Sequence, residues 1–193
     1  VGKKMTINFT TLGKSSPTFS VFLWLKYHTM DHLTRLEEML DRANASIKAG
    51  NYEQAENTLE EMIKIDPNFG KTYNHLGFLY ETKFKEYEKG ETLYKLCLEK
   101  SPMYPAIYYN YAVLLSTLGK WDELKTLLDR AITIPGVSKS TIYNEYAIMY
   151  EQQGNLDEAI AHYQKTGMHT LDQATLDRAK SSIARCKSKK DLF

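Results

Sequence analysis

The side chains that most often carry enzyme chemistry are few in this 193-residue sequence, and they are widely separated. Its five histidines and two cysteines form neither the His-Glu-x-x-His pattern of a zinc enzyme nor a set with metal-ligand spacing. The residues therefore predict a protein that is not an enzyme and that binds neither a metal nor a cofactor. They are His28, His32, His75, His162, His169, Cys97 and Cys186.

Two other segments are weak candidates for phosphate or nucleic-acid chemistry. The run Gly13-Lys14-Ser15 resembles the end of a phosphate-binding loop, but the first glycine of such a loop is missing and no strong strand precedes it. We interpret it as a turn. Tyr108 and Tyr109 with Lys100 could stack on bases, yet their surroundings are neutral. Because nucleic-acid binding needs a concentrated basic face, we expect no nucleic-acid partner.

Composition predicts a folded domain with no membrane span. Hydrophobic residues make up 42% of the chain and its net charge is +1, which suits one domain with a substantial core. The longest apolar run, residues 19–25, is far shorter than the roughly 20 residues that cross a bilayer. No cleavage site of a secretory leader follows that run, and two cysteines form no disulfide framework. These features favour a reducing compartment, and we expect a cytoplasmic location.

The elements that would position any functional side chain are predicted by a helix-turn-helix pattern in residues 140–163. Four side chains at i, i+3, i+4 and i+7 form one helical stripe, Gly154-Asn155 breaks the helix, and a second stripe follows. The first stripe is Tyr143, Tyr146, Ala147 and Tyr150, and the second is Leu156, Ala159, Ile160 and Tyr163. A single hairpin cannot cover its own apolar surface, so the pattern predicts stacked neighbours.

The same pattern recurs at intervals of 35 residues. Tyr73, Tyr108 and Tyr143 occupy equivalent positions, since 108 − 73 and 143 − 108 both equal 35. We therefore divide residues 31–169 into four repeats, at about 36–69, 70–102, 103–136 and 137–169. Residues 1–30 would form an N-terminal extension with an apolar arm, residues 170–187 a helix that caps the last repeat, and residues 188–193 a basic tail.

These repeats resemble the tetratricopeptide repeat, a two-helix unit of 34 residues. The resemblance rests on NHLGFLY (74–80), GKWDELKTLLDRAI (119–132) and GNLDEAIAHY (154–163). It implies an all-α, right-handed α-solenoid of helix-turn-helix repeats with a C-terminal capping helix. It also implies a non-enzymatic module that binds a partner peptide or protein in the concave groove lined by the first helix of each repeat.

The groove residues follow from the face of each first helix that lies opposite its buried stripe. An Asn amide offers both a donor and an acceptor, so one Asn per repeat could pair with the main chain of an extended peptide, and neighbouring apolar side chains would add contact. As ordinary solvated positions, the same residues would bind nothing. The candidates are Lys71, Asn74, His75, Phe78, Tyr109, Asn110, Val113, Asn144, Glu145 and Ile148.

One family ligand is not expected. Members that bind the acidic C-termini of heat-shock proteins of the Hsp70 and Hsp90 classes use Lys and Asn in one repeat, Asn in the next, and Lys and Arg in a third. Here Asn110 matches the middle position, but Asn74 and Phe78 precede it, and Thr141 and Glu145 follow it. A ligand carboxylate would meet Glu145 instead of a cation.

The first repeat and the segment before it depart from the pattern. Leu33, Leu36, Leu40 and Ile47 would cover something other than a preceding repeat, and the apolar run 19–25 is the candidate. That run is either a short helix from Pro17 to about His28 or a buried strand. It would either fold back onto the first repeat or mediate self-association to a homodimer through Phe19, Phe22, Leu23, Trp24 and Leu25.

Overall fold

The structure, a computed structural model, describes the backbone of residues 17–192 and the side chains of residues 30–192. Within this part of the chain all regular elements are helices. They are α1 (Pro17–Lys48), α2 (Tyr52–Ile65), α3 (Lys71–Leu79), α4 (Tyr87–Lys100), α5 (Pro105–Thr117), α6 (Trp121–Ala131), α7 (Lys139–Gln152), α8 (Leu156–Met168) and α9 (Gln173–Lys190). A π-helical turn, Tyr80–Phe84, follows α3.

The helices pair in chain order into four hairpins that stack in a row. Each first helix, α1, α3, α5 or α7, packs against its own second helix, and α1, α3 and α5 also contact the next first helix along the row. Helix α9 packs on α8 at the end of the row. Because each hairpin covers the apolar face of its neighbour, the result is an all-α solenoid, which confirms the predicted fold class.

One residue with a left-handed backbone conformation follows the first helix of each hairpin and ends it. In the first, third and fourth hairpins this residue is Gly50, Gly119 or Gly154, with φ of 81°, 67° and 77°. Glycine takes these angles at little cost because it has no Cβ. The second hairpin, whose turn is one residue longer, uses Lys85 with φ of 61° after the π-helical turn. The extra residue is thus absorbed by a wider helical turn.

Tyrosines fill the seams between the helices, and their hydroxyls find partners there. Tyr73 donates to the carbonyl of Pro67 at 2.8 Å, and Tyr108 donates to that of Pro102 at 2.7 Å. Both bonds tie a first helix to the proline turn that precedes it. Tyr94 is fully buried and donates to Glu81 Oε2 at 2.6 Å. A ring that packs while its hydroxyl is satisfied explains why tyrosine recurs at the seams of the described hairpins.

Two glycines allow α3 and α4 to cross closely. A Cβ at Gly77 would lie 2.7 Å from the Tyr94 ring, and a Cβ at Gly90 would lie 3.3 Å from the carbonyl oxygen of Gly77. Any side chain at Gly77 would force the buried ring of Tyr94 to move.

Helix α1 is longer than any other helix of the described chain. Of the two alternatives for residues 19–25, the backbone is helical, and this helix runs without a break into the first repeat. Its 32 residues span about 48 Å. Leu36 and Leu40 are buried in the core, whereas Leu33 is exposed. The arm residues Phe19, Phe22, Leu23, Trp24 and Leu25 lie outside the described side chains. Among the residues described, no helix is long and apolar enough to cross a membrane.

Candidate functional site

A cleft of about 1290 Å³ lies between the C-terminal first helices and α9. Helix α5 contributes Tyr109, α7 contributes Asn144, Glu145 and Ile148, and α9 forms the opposite wall with residues such as Arg178. The cleft is therefore the C-terminal part of the surface lined by first helices, closed on one side by the last helix of the chain.

A proline and two capping side chains determine where the helices that line the cleft begin. Pro105 is the first residue of α5, where its missing N–H costs nothing. The Ser138 hydroxyl caps α7 by accepting from the Thr141 amide at 3.2 Å. The Asp172 carboxylate caps α9 by accepting from the Thr175 amide at 2.8 Å. These starts fix the rotation of α5, α7 and α9, and hence which side chains face the cleft.

Four of the ten predicted groove residues line this cleft, namely Tyr109, Asn144, Glu145 and Ile148. Tyr109 is 48% exposed and presents the largest apolar surface of the four. The other six residues lie on α3 and α5 outside the cleft. They are Lys71, Asn74, His75, Phe78, Asn110 and Val113, and all except the buried Asn74 are half-buried.

Two of the predicted Asn residues bond to each other. Asn74 is only 2% exposed, and its Oδ1 accepts from Asn110 Nδ2 at 3.0 Å. This bond joins the first helices of the second and third hairpins. The amide of Asn74 is thereby engaged within the protein, so it presents almost no surface to a ligand.

The polar residues at the start of α3 are also engaged internally. Lys71 pairs with Glu37 of α1 at 2.5 Å. His75 lies 3.5 Å from the Tyr104 hydroxyl. Burial and the nearby Lys71 cation lower the pKa of His75 to about 4, so its ring is neutral near pH 7.

Glu145 is a buried carboxylate in the wall of the cleft. Its exposure is 6%, and its one hydrogen bond within the described structure comes from Asn144 Nδ2 to Oε1 at 3.3 Å. Burial raises the pKa of Glu145, because removing a charge from water favours the protonated form.

The wall formed by α9 was missed by the sequence prediction, which assigned this helix a covering role alone. Arg178, Ser181, Ser182 and Arg185 line the cleft. Their spacing of i, i+3, i+4 and i+7 is the signal that could have found them, because it places four polar side chains on one helical face.

One carboxylate anchors α9 against the last hairpin. Glu151 of α7 accepts from Arg185 through both oxygens at 2.7 Å, and from Lys189 Nζ at 2.8 Å. The hydroxyl of Tyr163 donates to it at 2.8 Å. These donors, with Arg185 foremost, hold the pKa of Glu151 well below its usual range.

The described residues offer no evident metal site. Among residues 30–192, no three His, Cys, Asp or Glu side chains lie close enough together to hold an ion. Cys97 and Cys186 are buried free thiols. Burial raises the pKa of Cys97 to about 12, which makes its thiolate inaccessible near neutral pH.

Stacked two-helix hairpins with a lined inner cleft define a helical-repeat protein of the interaction-scaffold type. The chain belongs to the PRP39 C-terminal HAT repeat family, whose model matches residues 71–186, well over half of the 193 residues. The tetratricopeptide repeat model matches residues 39–69. The predicted membership among tetratricopeptide-type repeat proteins is thus confirmed. No curated protein sequence is significantly similar to the chain.

Several solved structures share the fold. The Pseudomonas aeruginosa protein PilF superposes with a TM-score of 0.74 at 16% identity, covering 84% of this chain and 72% of its own. YrrB, described as a TPR protein with an unusual peptide-binding site, gives 0.63 at 16% identity, with 83% and 84% covered. MamA from MSR-1 gives 0.57 at 25% identity, with 69% and 75% covered.

Proposed function

We propose that the protein is a non-enzymatic scaffold that binds a segment of a partner protein in the cleft between α5, α7 and α9. The observation that carries this proposal is the cleft of about 1290 Å³, whose walls combine apolar surface with convergent polar side chains. This volume exceeds the roughly 300–1,000 Å³ of a typical small-molecule pocket, so it suits a segment of several residues. The two free buried thiols support a reducing compartment, and we place the protein in the cytoplasm.

The chemistry of the cleft favours a peptide over a small metabolite. Tyr109 and Ile148 supply apolar contact, and Asn144 offers an amide to a main chain. The likeness to YrrB, described as having a peptide-binding site, is a likeness of fold, and it is consistent with this use of the inner surface.

A displayed library of random 12-residue peptides, selected against the full chain, tests the proposal. Tyr109→Ala and Ile148→Ala should each weaken the selected peptides about tenfold, because a buried apolar contact contributes about 1.5 kcal/mol or more. Met103→Ala is the matched control, since Met103 is exposed and lies outside the cleft. Failure to select any peptide, or selected peptides that bind both cleft variants normally, would refute the cleft as the site.

A second function, self-association through the N-terminal part of α1, is favoured by the course of that helix. His32 of α1 bonds to Asp66, just beyond the end of α2, at a distance of 3.2 Å. The hairpin is antiparallel, so the backbone of α1 before about residue 30 runs past the end of α2. An unbroken helix cannot fold its own first half back onto the same hairpin. Met30 and Leu33 are exposed, so the described part of α1 also presents apolar side chains to solvent.

Self-association is tested by comparing the mass in solution of the full chain and of a version that begins at Asp31. The full chain should be a dimer and the shortened version a monomer, because the apolar run 19–25 is removed. Monomers in both cases would exclude this second function.

A further inference from the structure

Glu145 differs from the other enclosed carboxylates of the described chain in the donors that surround it. Glu81 accepts from the Tyr94 hydroxyl at 2.6 Å. Glu91 accepts from Lys120 at 2.7 Å and from Lys95 at 2.7 Å. Glu145 has one amide contact at 3.3 Å and, among residues 30–192, no charged neighbour that influences its pKa.

A buried carboxylate without a cation is costly unless something else binds it. Removing an ionised group from water carries a penalty of several kcal/mol, which a hydrogen-bonded counter-charge offsets. Since Glu145 lines an open cleft, a donor can reach it from outside the protein. Among the described residues, Glu91 and Glu151 meet cations, and Glu81, whose pKa is also raised by burial, accepts a short bond from Tyr94, whereas Glu145 has neither.

The two arginines on the opposite wall do not supply the missing counter-charge to Glu145. Arg185 is engaged by Glu151 through two bonds of 2.7 Å. Arg178 donates to Thr175 Oγ1 at 2.8 Å and forms no ion pair with Glu145 in the described structure. Two further carboxylates, on Asp172 and Asp177, also line the cleft. Asp172 accepts from the Thr175 amide at 2.8 Å and Asp177 lies 3.6 Å from Lys180 Nζ, so of the three carboxylates that line the cleft Glu145 has the fewest donors of its own.

We propose that Glu145 binds a basic side chain, Lys or Arg, of the partner segment that occupies the cleft. The cation forms a charge-assisted hydrogen bond with the carboxylate. Tyr109, which is 48% exposed on the neighbouring helix α5, covers the apolar stem of that side chain and adds a cation–π contact. This inference rests on the proposed function, and it specifies the chemistry of the partner.

The displayed peptide library, selected with the full chain, provides the probe. Selected peptides should share one Lys or Arg flanked by apolar residues. In fluorescence anisotropy with the best such peptide, Glu145→Gln should weaken binding about 10- to 100-fold, because it removes the charge and preserves the shape. Replacing the shared basic residue of the peptide by Gln should cause a similar loss, and the two changes together should cost little more than either one.

A control separates this effect from misfolding. Glu158→Gln changes an exposed carboxylate of α8 outside the cleft and should leave binding unchanged. Glu145→Gln should melt at the same temperature as the unmodified protein or higher, because it removes a buried uncompensated charge.

Each result has a distinct meaning. If peptides are selected whose binding depends on Tyr109 but shows no basic preference and no response to Glu145→Gln, the inference about the partner is wrong and the proposed function stands. If no peptide is selected, both are refuted. A lower melting temperature together with lost binding would assign Glu145 a structural role and overturn the inference.

Discussion

Replacing Glu151 by Gln should release α9 from the last hairpin without unfolding the rest of the solenoid. The carboxylate is 7% exposed and meets the two cations and one hydroxyl described above. Helix α9 buries few apolar side chains, with Ala179 and Cys186 the two that are fully enclosed. Its attachment therefore depends to an unusual degree on this one charge.

The magnitude follows from the exposure of the partners. Fully buried charged hydrogen bonds contribute about 1.5–3 kcal/mol each, but ion pairs between exposed groups contribute about 0.2–1 kcal/mol. The side chains of Arg185 and Lys189 are 50% and 45% exposed, which places each near the upper end of the second range. The amide of Gln can still accept from Tyr163. We expect a loss of about 1.5 kcal/mol, which opens α9 about tenfold more often.

Hydrogen exchange measured by mass spectrometry on peptides from residues 173–190 is the direct assay. Amide exchange in α9 should accelerate about tenfold in Glu151→Gln, while exchange in α3 to α6 stays unchanged, because each repeat interacts only with its neighbours. Glu60→Gln, an exposed change on α2, is the matched control. Equal exchange of α9 in both variants would show that the apolar contacts alone attach the helix and would refute this reasoning.

The same carboxylate predicts a dependence on pH. Its pKa in the folded protein lies below the ordinary value of 4.5, so the folded state binds fewer protons than the unfolded chain. The stabilisation from Glu151 is therefore fully present above about pH 5.5 and is lost as the pH falls through 4.5 towards the folded pKa. The difference in melting temperature between the unmodified protein and Glu151→Gln should shrink over that range.

Three further substitutions test the packing. Gly77→Ala should destabilise the protein by about 1–2 kcal/mol in urea unfolding, because the new Cβ would lie 2.7 Å from the buried Tyr94 ring; a neutral result would show that the crossing of α3 and α4 can widen. Lys85→Asn should raise the stability by about 0.5 kcal/mol, because Asn tolerates the left-handed backbone with φ of 61°, and a loss would contradict the strain assigned to Lys85. Asn110→Ala should cost about 1–2 kcal/mol, because it leaves the buried Asn74 Oδ1 unbonded, and in a double-mutant cycle the Asn74→Ala change should then cost less than it does alone.

The sequence was sufficient to predict the fold because the seam residues repeat. Tyr73 and Tyr108 occur 35 residues apart and bond to the carbonyl of the residue six positions before each of them, so equal spacing produced equal structure. The π-helical form of the longer turn after α3 was not predictable from the sequence, because one extra residue does not indicate whether the chain loops out or widens the helix.

The sequence was less informative about the site. Helical periodicity assigned Tyr146 and Ala147 to the packed stripe, and both are buried, but it assigned Asn74 and Asn144 equivalent surroundings. Asn74 is enclosed by the next hairpin and bonds to Asn110, whereas Asn144 borders the cleft near the end of the row. Burial at these positions depends on how the hairpins stack and on where α9 packs. The periodicity within one helix contains no information about the stacking of the hairpins or about the position of α9.

Glu145 and Glu151 show how one helix can both stabilise the array and line the cleft. They are six residues apart on α7, a rotation of about 240°, so they lie on different faces. Glu151 points to the seam with α9 and meets three donors there, whereas Glu145 borders the cleft and has a single amide at 3.3 Å. Their pKa values move in opposite directions for this reason. A carboxylate in the seam stabilises the array, whereas Glu145, under the proposal above, receives its counter-charge from a basic side chain of the partner. Under the proposed function, the sequence of the cleft face of α7 reflects binding and that of its seam face reflects folding.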